Sequence, residues 1–200
     1  MAKREVKENR KETIFDAAVS CFNEKGYHET TIDTIAAKAK ISKGGVYYHF
    51  NSKKDLFLEL FHYRVNKYFD QIKAYIKEED NPETRLLMFI YKSSQILKQN
   101  EDFFKFCLEF LSMGVREREI RKVMTIFYKD SINTFKHLIE EGIKEGKFRA
   151  IDADKTARAV YFLFMGVFFT YYSVNVDFDL VEQHTFQINN ILKDIKKTNC

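Results

Sequence analysis

Two hundred residues, 45% hydrophobic and 31% charged with one proline and seven glycines, suit one or two helix-rich domains and exclude a disordered chain. The net charge of +4 is unevenly placed: residues 1–54 hold 11 Lys/Arg against 7 Asp/Glu, whereas residues 55–200 hold 22 of each sign. Three scattered cysteines, Cys21, Cys107 and Cys200, form neither a disulfide framework nor a CxxC metal site, and so predict a reducing cytoplasm. No charged-then-apolar leader opens the sequence, and its strongest apolar run, 159–169, is shorter than the ~20 residues of a membrane span, so a soluble cytoplasmic protein is expected.

In chain order, the first feature is a basic arm with Lys3, Arg4, Lys7, Arg10 and Lys11, diluted by Glu5, Glu8 and Glu12. Such an arm either lies along phosphates or is a solvated tail. From residue 30 the spacing reads as two short helices around a tight turn. Thr30 or Thr31 caps the first, and Ile32, Ile35, Ala36 and Ala39 recur on one buried face. Lys40-Ile41-Ser42 makes the turn. Ser42 then caps a second helix over 43–49, which turns Val46 inward and leaves Lys43, Gly44, Tyr47 and Tyr48 to a partner. This is the helix-turn-helix pattern, in which the second helix enters a major groove.

Beyond it, Leu56, Leu60, Phe61, Val65, Tyr68, Ile72 and Ile76 keep helical period and predict one long helix over 53–78. Asn81-Pro82 opens a helix to about Gln99, and residues 102–113 form a third segment, nearly all aromatic and aliphatic. A long amphipathic helix over 117–145 follows, with Gly146 as its C-cap. Asp152 or Asp154 caps a helix through Val174, and Asp177 or Asp179 caps another through Lys197. The expectation is an all-α chain of about nine helices. Its domains are a three-helix head over 1–54 and a helical body over 55–200.

The run Thr31, Ile35-Ala36, Ser42-Lys43-Gly44-Gly45-Val46-Tyr47-Tyr48-His49-Phe50 and Lys53-Lys54-Asp55-Leu56 resembles the signature of the TetR family of one-component repressors. Upstream, Ile14, Ala17, Ala18, Phe22, Gly26 and Tyr27 are similar to that family's first helix. Two positions depart from the pattern. Lys40 stands where glycine is usual, and a left-handed non-glycine residue costs about 1 kcal/mol. Gly45 replaces a Thr, Ser or Ala, which costs about 1 kcal/mol of helix propensity and removes a side chain able to read a base.

The resemblance implies a homodimer bound to double-stranded operator DNA. Lys43 would reach a guanine edge, and Gly44 and Gly45 would allow close backbone approach. Thr31, Tyr47, Tyr48 and Lys53 would hold phosphates, and His49 would take a structural or phosphate-facing part. It also implies that the last two helices form a four-helix dimer seam. The penultimate helix, apolar nearly all round from Val160 to Phe169 with Gly166 among them, fits either that seam or a central core.

For the body the resemblance implies a cavity for a small-molecule effector, and the aromatic side chains suit a lipophilic one. Candidate wall residues are Phe103, Phe106, Phe110, Met113, Phe127, Tyr128, Phe164 and Phe168, each of which also suits ordinary core. The run 108–110 followed by Arg116, Arg118, Arg121 and Lys122 resembles the fatty acyl-CoA-responsive subgroup, with Arg116 and Arg121 toward CoA phosphates, although such a run is also an ordinary solvated face. A multidrug sensor of an efflux pump is the second expectation. An enzyme or a pure interaction module is disfavoured: the five histidines have no metal spacing, no GxSxG, Walker or dinucleotide motif is present, and capping or surface polarity accounts for Asp102, Glu109, Glu140 and Glu141. No cofactor or metal is expected.

Overall fold

The computed structural model describes residues 2–77, 79 and 81–197, with the side chains of 2–9 left aside. The described residues form α1 (Ala2–Glu29), α2 (Ile32–Lys38), α3 (Lys43–Tyr47), α4 (Lys53–Ile76), α5 (Pro82–Gln99), α6 (Glu101–Gly114), α7 (Arg118–Lys144), α8 (Ala153–Ser173) and α9 (Leu180–Ile195). The chain divides into two compact units, residues 1–67 with 101–121 and residues 68–100 with 122–200.

The helix limits follow local chemistry. α1 is broken at Gly26, whose φ of 74° is the left-handed conformation that glycine adopts freely. Asn81 caps α5 with Pro82 in its first turn, Asp152 caps α8 and Asp179 caps α9, each by accepting from backbone N–H groups left without intrahelical partners. α7 ends at a turn centred on Gly146, φ 70°. There Lys147 and Phe148 both donate to the Gly142 carbonyl, at 2.9 and 3.0 Å.

In the first unit, Ile14, Phe15, Ala18 and Phe22 of α1 are buried, as are Ile35, Val46, Leu56, Phe57 and Leu60, with Phe22 edge-on to Phe57 at 5.0 Å. α6 belongs to this unit. Phe106 lies 5.0 Å edge-on from Phe57, and Phe110 stacks on Phe57 and Phe61 at 5.0 and 3.9 Å. The second unit has its own core, with Ile72, Leu86, Phe89, Ile132, Phe135, Ile139, Val160, Ile188 and Leu192. Phe148 closes that core's edge, and its short bridge to Lys196 ties the α7–α8 connection to the end of α9.

α8 is buried on one side only in the single chain. Ala157, Val160, Tyr161, Val167 and Phe168 face inward, while Phe162 (57%), Leu163 and Phe169 are exposed, as is Phe186 of α9 (63%). The expectation that this helix is a central core helix is not met within one chain. No described helix is long and apolar enough to cross a membrane.

Candidate nucleic-acid interface and effector unit

The turn between α2 and α3 is built by side-chain caps on both helices and by a left-handed residue between them. Thr31 accepts from the Thr34 N–H at 3.1 Å while the Thr34 hydroxyl oxygen accepts from the Thr31 N–H at 3.1 Å, a reciprocal capping box that fixes where α2 starts. At its other end Lys40 takes φ 56°. Its N–H donates to Ala37, and the Ile41 N–H reaches back to Ala36 at 3.0 Å. The left-handed lysine expected from sequence is therefore present. Ser42 Oγ accepts from the Gly45 N–H at 3.0 Å and starts α3, and Val46 fills the space below.

The outward face carries Lys43, Gly44, Tyr47 (47%) and Tyr48 (71%). A Cβ on Gly45 would meet Ser42 Oγ at 3.4 Å and Ile41 at 3.8 Å, ordinary contacts, so packing does not require glycine there. His49 is half-buried, with its ring edge-on to Tyr48 at 5.0 Å. The Lys43 ammonium lies 2.8 Å from Asp33 Oδ2, and this hydrogen bond raises its pKa. Of the basic arm, Lys3, Arg4 and Lys7 lie outside the described side chains. Arg10 is exposed, and Lys11 pairs with Glu59 at 2.7 Å.

Lys53 departs from its expected part. Its ammonium turns inward, donating to the carbonyls of Tyr27, His28 and Thr30 at 2.7, 3.1 and 2.7 Å, and sits 4.4 Å over the Tyr27 ring. An ammonium has three donors, and all three are engaged. Burial lowers its pKa. Lys53 thus caps the end of α1 and braces the link to Thr31. Thr31 likewise spends its hydroxyl on the α2 cap. Two further groups complete this corner, in parts that the sequence did not assign to them. Glu109 of α6 accepts from the Tyr27 N–H at 2.9 Å, and the Thr30 hydroxyl lies 2.8 Å from the Gly26 carbonyl.

The ten expected effector residues are divided between the two units, six in the first and four in the second. Phe103, Phe106 and Phe110 belong to the aromatic core of the first unit, buried among Phe22, Phe57 and Phe61. Met113 is half-buried and Arg116 exposed. Arg121 turns back onto the end of α6, donating from Nε to the Gly114 carbonyl at 3.0 Å and from its guanidinium to the Val115 carbonyl. It acts as a helix cap. Helical period announced these faces as apolar or charged but not which unit would cover them.

Phe127, Tyr128, Phe164 and Phe168 do lie in the second unit. Phe127 stands 6.0 Å from Phe69, Tyr128 is edge-on to Tyr161 at 5.2 Å, and Phe168 lies 5.4 Å from Tyr172. Phe164 stacks on the buried His184 at 4.4 Å. His184 Nε2 lies 3.0 Å from the Phe164 carbonyl and Nδ1 lies 2.7 Å from Ser94 Oγ. The carbonyl can only accept, so the neutral ring carries its proton on Nε2 and accepts at Nδ1. Burial pushes its pKa down to about 4. The cavity beside it, lined by Ile90, Val160, Leu163, Phe164, His184, Gln187, Ile188 and Ile191, is ≈ 10 Å³, about one water sphere. On the outer side of α8 and α9 a groove of ≈ 560 Å³ runs past Lys155, Ala159, Leu163, Asn190, Ile191 and Asp194.

Among the described residues no group of three or more His, Cys, Asp or Glu is placed to hold a metal. Cys21 and Cys107 are free and buried, and Cys200 lies outside the described residues. Residues 14–60 match the bacterial regulatory proteins of the tetR family, and residues 61–194 match the C-terminal region of YsiA-like proteins. Over 136 residues the chain is 26% identical to the fatty acid metabolism regulator protein of Bacillus subtilis (strain 168), spanning 68% of this chain and 69% of that protein. The solved structure of FadR from Bacillus subtilis in complex with stearoyl-CoA is similar with a TM-score of 0.77 at 24% identity, over 91% of this chain and 95% of that one. SmeT, the repressor of the Stenotrophomonas maltophilia multidrug efflux pump SmeDEF, gives 0.79 at 21% identity, over 94% and 91%. At such identities the likeness to solved structures concerns the fold.

Proposed function

Because the chain belongs to the TetR family of transcriptional regulators, we propose that it is a homodimeric repressor released from a partly palindromic operator by a lipophilic effector, with long-chain fatty acyl-CoA as lead ligand. The observation that carries the DNA-binding part is the capped helix-turn-helix, with Lys43, Gly44, Tyr47 and Tyr48 outward on a turn fixed at both ends. Two such heads, one per protomer, address two half-sites in successive major grooves. The exposed apolar faces of α8 and α9, with Phe162, Leu163, Phe169 and Phe186, support a seam with a second copy, and Gly166 has no atom within 4 Å of a built Cβ to obstruct close approach.

The effector reading rests on the likeness to the fatty acid metabolism regulator and to the stearoyl-CoA complex. The apolar side chains Phe127, Tyr128, Phe164 and Phe168 of the second unit supply its wall. Ligand sites are roughly 300 Å³ or more, so an acyl chain enters beside Phe164 only as these side chains repack. The effector need only bind the released conformer better. A 100-fold preference, about 2.7 kcal/mol, is a substantial bias.

The deciding experiment is a thermal-shift and operator-release titration with acyl-CoAs of increasing length. Each further buried methylene contributes roughly 0.8 kcal/mol, so Tm and release should both rise with chain length. A flat response across the series would remove acyl-CoA and favour an aromatic or cationic effector of the multidrug kind. Saturating ligand that leaves DNA affinity unchanged would reject release altogether.

A further inference from the structure

We propose that Asp33 sets the DNA discrimination of this head by holding the Lys43 ammonium, so that Lys43 yields to a base edge more readily than to a phosphate. The inference rests on the reading of Lys43 as a base-contacting residue. Asp33 lies in the first turn of α2 and Lys43 is the first residue of α3, ten positions on. Their 2.8 Å ion pair crosses the turn on its exposed side.

Neither backbone is free to drift. Asp33 sits inside the Thr31–Thr34 capping box, and Lys43 follows the Ser42 cap directly. The left-handed Lys40 fixes the path between them. Of the neighbouring lysines, Lys38 is committed to Glu24, Lys53 to three carbonyls, and Lys54 to Glu117 and Glu119, while Lys40 in the turn is exposed.

The discrimination follows from charge. A lysine on its flexible stem, left alone, swings to whichever phosphate is nearest, and every duplex offers one. Held by Asp33, it meets two kinds of partner on different terms. A guanine edge is neutral and presents O6 and N7, and the three-donor ammonium can serve these acceptors while retaining the carboxylate. A phosphate approaching the same ammonium comes within contact range of the Asp33 carboxylate, and like charges at distances shorter than the ~8 Å screening length repel. Asp33 therefore weakens the phosphate contact more than the base contact.

The test uses the full-length protein and two probes of equal length: a duplex enriched from a random pool by the wild-type protein, and a shuffled duplex of the same composition. Asp33→Asn keeps the size of the side chain and removes its charge. It should tighten binding to the shuffled duplex by roughly 1.4- to 5-fold, the range for an exposed ion pair. The salt dependence on that duplex should steepen by about 0.9 in log–log slope, one phosphate gained. The enriched duplex should gain less, and the whole effect should vanish in a Lys43→Ala background. Equal gains on both duplexes, or a gain that survives Lys43→Ala, would overturn the proposal, since simple removal of a negative charge near DNA gives that outcome. Lys43→Ala that by itself leaves discrimination intact would overturn it through its premise, a result distinct from either of these.

Discussion

Replacing Lys53 separates two roles that predict different salt behaviour. In the structure its ammonium donates to the carbonyls of Tyr27, His28 and Thr30 and lies over the Tyr27 ring. Hydrogen bonds to charged groups contribute about 1.5–3 kcal/mol each where fully desolvated, but this group is partly exposed, so water replaces part of that and the loss expected for Lys53→Met is about 2 kcal/mol in all. Methionine keeps most of the apolar stem, so the change reports the lost ammonium. For a chain of this size 1 kcal/mol moves Tm by about 2–4 °C, and the expected drop is therefore about 4–8 °C by calorimetry. DNA affinity should fall because the link to Thr31, and with it the start of α2, loses its brace. The slope of log K against log salt should stay as in the wild type, since no phosphate contact is removed. A slope reduced by about 0.9 with unchanged Tm would refute the bracing role and restore Lys53 as a phosphate ligand.

Gly45→Ala should raise Tm by a few degrees, because the new Cβ meets only ordinary contacts and alanine favours helix by about 1 kcal/mol. Affinity for an enriched duplex should nevertheless fall, and unchanged affinity would show that the backbone does not approach DNA closely at Gly45. Gly142→Ala should act in the opposite sense on stability: its Cβ would lie 2.1 Å from Cδ2 of the buried Phe148 ring, and overpacking of about 1–3 kcal/mol outweighs the helix gain, so a higher Tm would contradict the packing described. His184, with its pKa depressed to about 4, stays neutral in the folded chain while an unfolded histidine takes up a proton below about 6.5. Its contribution is therefore complete above pH 6.5 and is lost as pH falls toward 4, by about 3 kcal/mol in all. Denaturant titrations of wild type and His184→Gln should diverge in pH dependence across that window, and parallel curves would remove the buried neutral imidazole from the account.

Local signals were the most legible part of this chain. Ser42 and Asn81 cap the helices they were expected to start, and of the paired alternatives Asp152 and Asp179 serve, because a short side chain placed before an apolar run reaches only its own first turn. Gly146 was legible because glycine takes a positive φ freely after a helix, and the left-handed Lys40 was implied by the family resemblance, in which glycine is usual there. Tertiary partners were not. The periodicity of Phe103, Phe106 and Phe110 announces a buried stripe, and a core and a ligand wall are written in the same apolar residues. Nothing in the spacing says that the stripe packs on Phe22, Phe57 and Phe61, more than 40 positions away. Charged side chains mislead in a related way. Lys53 and Arg121 read as anion contacts because both are cations near an expected partner, but a helix end also presents negative carbonyls, and these lie closer. The ion pair of Lys43 with Asp33 joins two residues on either side of one turn. What the sequence withholds is the sign of its effect, because a carboxylate beside a lysine proposed to contact DNA can either spend that lysine or aim it. The difference lies in whether the approaching acceptor is itself charged, which is why the comparison of a base edge with a phosphate, rather than affinity alone, decides between them.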